Sequence, residues 1–505
     1  MERVIALARR RGFIFPASEI YGGFANAYDY GPLGVELLRR VKDSWWSATV
    51  RRAHSLPGDD AASRTRVVGL DSAIIQSPRV WEASGHAAGF SDPMVDCHSC
   101  KARFRLDDDD DGASSASDAA CCPECGSSDL TGQRDFNLMF KTQIGALDTG
   151  DGEEGAGRSA YLRPETAQGI FLSYKAVADS MRLAPPFGVA QLGKSFRNEI
   201  TPGRFVFRTR EFEQAELEFF CCDAAAAQEW HAYWVAARFD WYVETLGLAR
   251  DRLRLREQGS SELAHYSVRC TDIEYEFPWG WGELEGVAIR GDYDLAKHSE
   301  ASGVDLRVLD PRSGERYTPH VVEPAAGIGR IALAMLVDAS SRGAERAAED
   351  EREVLALRAR FAPTTVAVLP LLKKPASGLP AMARAVEDVL RAACGNAWPT
   401  DAEPSPLVRD AMLGADDAGA AHRPARFRAG FEPTLAYDHA GAIGRRYRRY
   451  DEIGTPLCVT IDHATLADEA HRVVTVRSRD SMAQHSVRLR DLVDFLADAI
   501  DDADR

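Results

Sequence analysis

Hydrophobic and polar positions along this chain alternate with two periods, and the switches between them mark its elements. From residue 32 to 52, Leu33, Leu37, Val41 and Trp45 recur every four positions behind Pro32. That is an amphipathic helix with proline in its first turn. A strand is expected over about 66–76. Residues from Phe196 to Phe219 read as two strands around a turn at Thr201-Pro202-Gly203. On the second strand, which begins at Phe205, Ala215, Leu217 and Phe219 share one face, a candidate core. Phe212, Gln214, Glu216 and Glu218 share the other. Residues 224–246 predict a helix whose Trp230, Trp234 and Trp241 pack inward. Residues 319–337 read as a strand, a Gly-rich turn and a helix, and 339–360 as a charged helix or linker. From Thr364 short strands (366–371, 458–461, 473–476) alternate with a helix at 377–394, which implies a small α/β domain with a mixed sheet.

A length of 505 residues leads us to expect two to four domains with ample core. Hydrophobic content of 45% and charged content of 27% are ordinary for a globular protein. No run approaches the ~20 apolar residues that cross a bilayer. The first ten residues carry charges throughout and lack a signal peptide's apolar core. The expectation is a cytoplasmic enzyme with no membrane partner. A net charge of −16 argues against a general nucleic-acid binder, though local basic patches can act within an acidic protein. Part of that charge is the solvated run Asp107 to Asp111. Segments 106–130, 146–158 and 396–432 read as flexible insertions.

Ten cysteines in a cytosolic chain should be reduced. Four have metal spacing, Cys97-x-x-Cys100 and Cys122-x-x-Cys125, and read as a zinc knuckle, with Cys121 an alternative to Cys122. Four unrelated thiols are the bland reading. Cys221, Cys222, Cys270, Cys394 and Cys458 are assigned to core. The ring, amide and carboxylates opposite Arg197 are costly to bury without a ligand. The Arg197 guanidinium suits a phosphate, Phe207 or Phe212 a purine, and Glu216 an ammonium. A surface hairpin with cross-strand ion pairs is the alternative. Arg330 at a helix start opposes the dipole unless an anion lies between them.

Taken in order, these segments resemble motifs 2 and 3 of the class II aminoacyl-tRNA synthetases. Further stretches are similar to the homodimeric type of glycyl-tRNA synthetase: 11–13 and 29–34, Trp81 to His86, Phe136 to Phe140, Leu162 to Gly169 and Gly444 to Arg449. The resemblance implies an α+β chain. Residues 1–350 would be an antiparallel-sheet catalytic domain with a zinc-ribbon-like insertion at about 95–160. Residues 363–505 would be an α/β anticodon-binding domain with its own insertion at about 396–432. It implies a homodimer, formed partly by the 32–52 helix, although packing on its own subunit would explain that helix too. Arg445, Arg446, Arg448 and Arg449 around Tyr447 and Tyr450 would touch RNA, or form a solvated turn with packed rings.

The implied activity joins glycine to the 3′ end of tRNA(Gly) through a glycyl-adenylate, using ATP with Mg²⁺ and a structural Zn²⁺. Arg197 and Arg330 would be catalytic, on the α-phosphate and γ-phosphate. The ATP site would comprise these two with Asn198, Glu199, Phe207, Arg208, Thr209, Arg210, Glu211, Phe212, Glu283, Leu284, Gly327, Ile328 and Gly329. Glu283 would be a magnesium ligand. The glycine site would comprise Arg105 (or Arg103), Glu165, Phe212, Glu213, Gln214, Ala215, Glu216, Arg290, Glu323, Pro324, Ala325, Ala326 and Gly327. Three acids, Glu165, Glu216 and Glu323, would hold the ammonium and exclude a β-carbon. Two positions depart from the family: Ala325 replaces a usual serine, and Gly291 a usual threonine. A synthetase for serine or alanine, or a non-catalytic synthetase-like binding module, are the competing readings.

Overall fold

The computed structural model describes residues 1–57, 64–105, 121–145, 158–199, 203–264, 266–310, 313–346, 352–394, 427, 432–467 and 472–504. Its main sheet has seven strands: β1 (Val67–Gly69), β2 (Phe187–Phe196), β3 (Glu211–Cys221), β4 (Leu253–Glu257), β5 (Arg269–Phe277), β6 (Gly280–Gly291) and β7 (His320–Gly327). Their spatial order is β4-β5-β6-β7-β3-β2-β1. Every pairing is antiparallel except β1 with β2. In the middle of the sheet, Glu216 of β3 lies opposite Ala325 of β7 and Gln191 of β2.

The two faces of β3 meet different layers. Phe219 packs on Trp230 of α3 (Ala224–Asp240), ring centroids 4.3 Å apart. Phe220 packs on Tyr174 of α2 (Ala167–Met181), at 4.5 Å. Behind the first face, α3 joins α1 (Pro32–Thr49) and α5 (Ile328–Arg346) around one large core that contains Ala215, Leu217, Trp234 and Trp241. In α1 the residues Leu37, Val41 and Trp45 are buried as their spacing predicts. The second face is covered at one end by α2 and α4 (Tyr293–Ser302), with Leu295 in their shared core. The rest of that face is left open as a pocket.

The C-terminal sheet runs β9-β8-β10-β11-β12, from β8 (Val366–Pro370), β9 (Leu435–Tyr437), β10 (Leu457–Ile461), β11 (Val473–Ser478) and β12 (Gln484–Arg488). It is mixed, as expected: β8 is parallel to both neighbours, and β10, β11 and β12 are antiparallel. Helices α6 (Leu379–Ala393) and α8 (Leu492–Ala503) share its core.

Several boundaries differ from the sequence expectation. The second strand of the central hairpin does not begin at Phe205. Arg204 and Phe205 both take positive φ (57° and 60°), residues Phe205–Phe207 make a 3-10 turn, and the strand begins at Glu211. Burial of Phe205 and Val206 compensates for that backbone. Of the expected turn, Thr201 and Pro202 lie outside the described residues, and Gly203 bridges to Arg208. The strand expected at 66–76 divides between β1 and a separate short strand, Ile75–Gln76. Helix α3 gives way to a π turn at Trp241–Thr245. The stretch expected as a charged helix or linker continues α5 as far as Arg346, and further on it buries Val354, Leu355, Ala356 and Leu357. Most of the three expected insertions, 106–120, 146–157, 395–426 and 428–431, lies outside the described residues.

Candidate active site

Period-two geometry builds the pocket floor from β3. Phe212, Gln214 and Glu216 line a cavity of about 310 Å³, while Ala215 faces the core. Glu216 is held from two sides. Its Oε2 accepts hydrogen bonds from the Thr166 backbone N–H at 2.9 Å and from the Thr166 hydroxyl. Its Oε1 accepts from Gln214 Nε2 at 2.7 Å. The segment carrying Glu165 and Thr166 is pinned by buried Arg163, which donates to the carbonyls of Lys194 (2.8 Å) and Ser72 (2.7 Å). A side chain at Gly193 would strike that guanidinium at 2.3 Å, so β2 needs glycine there.

Two arginines border the cavity. Arg197 lies 5.3 Å from the centroid of Phe212 and as far from that of Phe90, and its Nε donates to the Pro164 carbonyl at 3.1 Å. Arg330 lies 4.5 Å over Phe207, and its Nη1 donates to the Glu283 carbonyl (3.0 Å) and to Glu283 Oε2 (3.1 Å). The rings therefore hold both guanidinium planes by cation–π contact.

An acidic cluster lies next to Arg197. Glu165, Glu216 and Glu323 converge there, all nearly fully buried. Arg290, behind them, donates to Glu323 Oε2 at 2.5 Å and to Asp294 Oδ2 at 2.7 Å. Its guanidinium lies 3.7 Å from the Tyr266 ring centroid. Glu165 receives Gln168 Nε2 at 2.9 Å and faces His86 Nε2 at 3.3 Å. Burial pushes all three acids toward the neutral form. For Glu165 the nearby His86 and Arg290 prevail and hold it below the usual carboxylate range. Glu216 is pushed up by burial and by Glu165. Burial raises Glu323 to about 8 against the pull of Arg290. Three buried acids with unlike proton affinities around one cavity suit a small cationic ligand.

Seventeen sequence-predicted residues line this cavity: Glu165, Arg197, Glu199, Phe207, Arg208, Thr209, Phe212, Glu213, Gln214, Glu216, Glu283, Glu323, Ala325, Ala326, Gly327, Gly329 and Arg330. The others do not. Leu284, Ala215 and Ile328 are core, because their parity turns them to the opposite face. Arg290 and Pro324 are buried behind the wall. Arg210 points outward and donates to the carbonyls of Glu199 and Ala25. Glu211 pairs with Lys194 on the surface, and Asn198 opens on an adjoining cavity. Arg103 is taken by Asp96 at 2.5 Å. Arg105 ends a strand beside Met94, and its side chain lies outside the described part.

Sequence reasoning missed His86, Gln168, Asp294 and Tyr266, which hold the acids, and Gln258, Glu262 and Asp272, which line the cavity. The signal for His86 lay in the Trp81-to-His86 stretch. Gln168 lay likewise in the Leu162-to-Gly169 stretch, and the others reach the site only through long-range folding. Cys270, expected as plain core, also borders the cavity, and Cys222 and Cys394 are only half-buried.

The ligand atoms of Cys97, Cys100, Cys122 and Cys125 all lie within 4.8 Å of one another. The Cys97–Cys125 and Cys100–Cys122 sulfurs are 3.6 and 3.5 Å apart. Sulfurs around a tetrahedral zinc at ~2.3 Å have comparable separations. The four thiols thus fit zinc, and Cys121 is exposed outside the cluster.

The C-terminal basic cluster needs correction. In α7 (Ile443–Glu452), Arg446 is buried and donates to the carbonyls of Pro370 (2.7 Å) and Asp438 (3.0 Å). Arg449 pairs with Asp438 at 2.5 Å. Tyr447 bonds Thr460 at 2.6 Å, and Tyr450 is buried. Arg445 and Arg448 alone of the four arginines are fully exposed.

Two family models match the chain: the tRNA synthetase class II core domain (G, H, P, S and T) over residues 149–339, and the anticodon binding domain over 425–499. A glycine–tRNA ligase of Geobacillus kaustophilus is 44% identical over 522 aligned positions, covering 99% of each chain. One from Bifidobacterium longum is 44% identical, covering 98% of this chain and 92% of its own. A third, from Clostridium acetobutylicum, is 43% identical and covers 99% and 98%.

Proposed function

The chain belongs to the glycine–tRNA ligases of the class II aminoacyl-tRNA synthetases, and on that premise we propose how its pocket divides the work. The reaction activates glycine with ATP and passes it to the tRNA 3′ end. Neither step needs a protein nucleophile, so catalysis rests on positioning and on stabilising phosphate charge. Arg197 would hold the α-phosphate beside the glycine carboxylate, and Arg330 the γ-phosphate. Glu199, Arg208 and the neighbouring ring of Phe207 or Phe212 would take the adenine end. Mg²⁺ accompanies ATP in this class, and Glu283 would offer it an oxygen ligand.

Glu165, Glu216 and Glu323 would bind the ammonium. The observation that carries this reading is that two arginines and three buried acids border a single cavity, with Arg197 next to the acids. Glycine offers one anionic and one cationic group, and its carboxylate would then meet Arg197. Ala325 cannot donate the hydroxyl bond usual in the family, typically worth ~0.5–1.5 kcal/mol. Glycine binding should be weaker than with serine there, not lost.

Zn²⁺ on the four-cysteine knuckle, a homodimer and a cytoplasmic location belong to the same proposal. Exposed Ile20, Tyr21 and Phe24 supply apolar surface for a partner subunit. Among the described residues no helix is long and apolar enough to cross a membrane. The decisive experiment is ATP–pyrophosphate exchange over a panel of amino acids. Glycine alone should support it, and exchange with alanine or serine instead would overturn the assignment.

A further inference from the structure

Glu218 is the next residue on the pocket-side face of β3, one step deeper than Glu216. It is completely buried, and among the described residues neither carboxyl oxygen has a hydrogen-bond partner. Its surroundings are mostly acidic. Glu216 shares its strand, Glu323 faces it from β7 and Asp294 from α4, and Arg290 of β6 is the one cation that bears on it strongly. That guanidinium is already committed to Glu323 and Asp294, at 2.5 and 2.7 Å. Around the same cluster stand Glu165, His86 beside it, His298 bonded to Gln168 at 2.8 Å, and Tyr266 over Arg290. On the β2 side the residue opposite Glu218 is Val189, which offers it nothing polar.

Five buried carboxyl groups (Glu165, Glu216, Glu218, Glu323 and Asp294) thus share Arg290, with buried Arg163 and half-buried Arg197 acting on Glu216, so the carboxyls still outnumber the guanidinium groups. A fully ionised set would leave several uncompensated charges in low dielectric, which proteins avoid by retaining protons. The group best placed to retain one is the acid with no donor aimed at it. We propose that Glu218 carries a proton while the glycine pocket is empty and gives it up when the glycine ammonium arrives, so that glycine binding releases about one proton. This rests on the reading of the pocket as the glycine site. The O–H bond of the Glu218 carboxyl breaks, the proton leaves to solvent, and the carboxylate that remains is balanced by the incoming ammonium, whose own N–H bonds are unchanged. Burial, followed by the charge of Glu323, pushes Glu218 well above the usual carboxylate range, the direction this exchange requires. Glu323 titrates with it as a pair, but its ion pair with Arg290 makes it the weaker holder of the proton.

The linkage has a definite sign. A ligand that expels a proton binds more tightly as pH rises. Below the pH at which free Glu218 ionises, the glycine KM should fall about tenfold per pH unit, while the KM for ATP stays nearly level. Glu218→Gln mimics the protonated acid and should flatten this dependence. The direct measurement is calorimetric titration of the full-length protein with glycine at pH 7, in two buffers of different ionisation enthalpy. About one proton released by the wild type and none by Glu218→Gln is the expected result. Glycine binding without proton release, or undiminished release by the variant, overturns the proposal and leaves the glycine site standing. Should Glu218→Gln fail to fold, Glu218→Ala serves the same comparison, and a wild type that releases no proton overturns the proposal by itself. A protein without glycine-dependent exchange would instead overturn the glycine reading, and this proposal with it.

Discussion

Arg330 Nη1 lies 3.1 Å from Glu283 Oε2, so the arginine proposed for the γ-phosphate and the carboxylate proposed for its metal neutralise each other. Both side chains are partly exposed, and the pair contributes little to folding. ATP with its metal would replace the contact by a stronger one on each side. Arg330→Ala should therefore reduce exchange at least 100-fold, about what one transition-state donor supplies. The melting temperature should move little. Arg197→Ala should behave alike. Near-normal exchange in either variant would sink the phosphate roles.

The second prediction concerns the knuckle. Protein purified without chelator, with its thiols reduced, should carry about one zinc per chain. Cys97→Ser and Cys122→Ser should each remove it, whereas Cys121→Ser should not, because Cys121 stands outside the sulfur cluster. Metal analysis that found no zinc in the wild type would refute the site.

How much of this was legible in the chain depends on distance along it. The floor of the pocket could be read directly, because Phe212, Gln214 and Glu216 are spaced by the strand period. The same period misled only where the backbone leaves the strand, at the positive-φ residues Arg204 and Phe205. Glu165 and Glu323 come from segments far apart and entered only through the family resemblance. Of what holds them, Arg290 entered with the same resemblance, but its contacts did not. Gln168 reaches Asp294 across 126 positions, and Arg290 reaches Glu323 across 33. No local pattern announces such contacts. The arginine cluster at 445–449 shows the converse error. Its composition suggested RNA, but the helix turns Arg446 into the domain core.

His86 provides a test of one such hidden support. Its Nε2 faces Glu165 Oε2 at 3.3 Å, and its Nδ1 lies 2.8 Å from Ser84 Oγ. Trp81 and Phe90 pack against the ring. His86→Ala would leave a buried Glu165 oxygen without its neighbour, at a cost of roughly 1–3 kcal/mol. We expect the glycine KM to rise about tenfold with little change in the KM for ATP, and a lowered melting temperature. Equal loss for both substrates would point to general unfolding.

The last prediction separates charge from shape in the ammonium subsite. Glu216 Oε2 accepts from Thr166 and Oε1 from Gln214, so both oxygens face donors before any substrate enters. Glu216→Gln preserves size but turns one acceptor into a donor that must point at another donor. It also removes a charge from the ammonium's surroundings. A lost charge-assisted bond costs roughly 1.5–3 kcal/mol, about ten- to a hundredfold in apparent glycine affinity. Arg330 and Glu283 pair with each other, whereas Glu216 is held by Thr166 and Gln214, so ATP affinity should hold. Ala325→Ser is the reciprocal test. Position 325 lies opposite Glu216 across the β3–β7 pairing, where a hydroxyl would enter the cavity beside it. It should tighten glycine binding by up to about tenfold, the worth of one neutral hydrogen bond. If Glu216→Gln weakened ATP instead, and the glycine dependence stayed as in the wild type, the acidic end of the pocket would belong to the nucleotide.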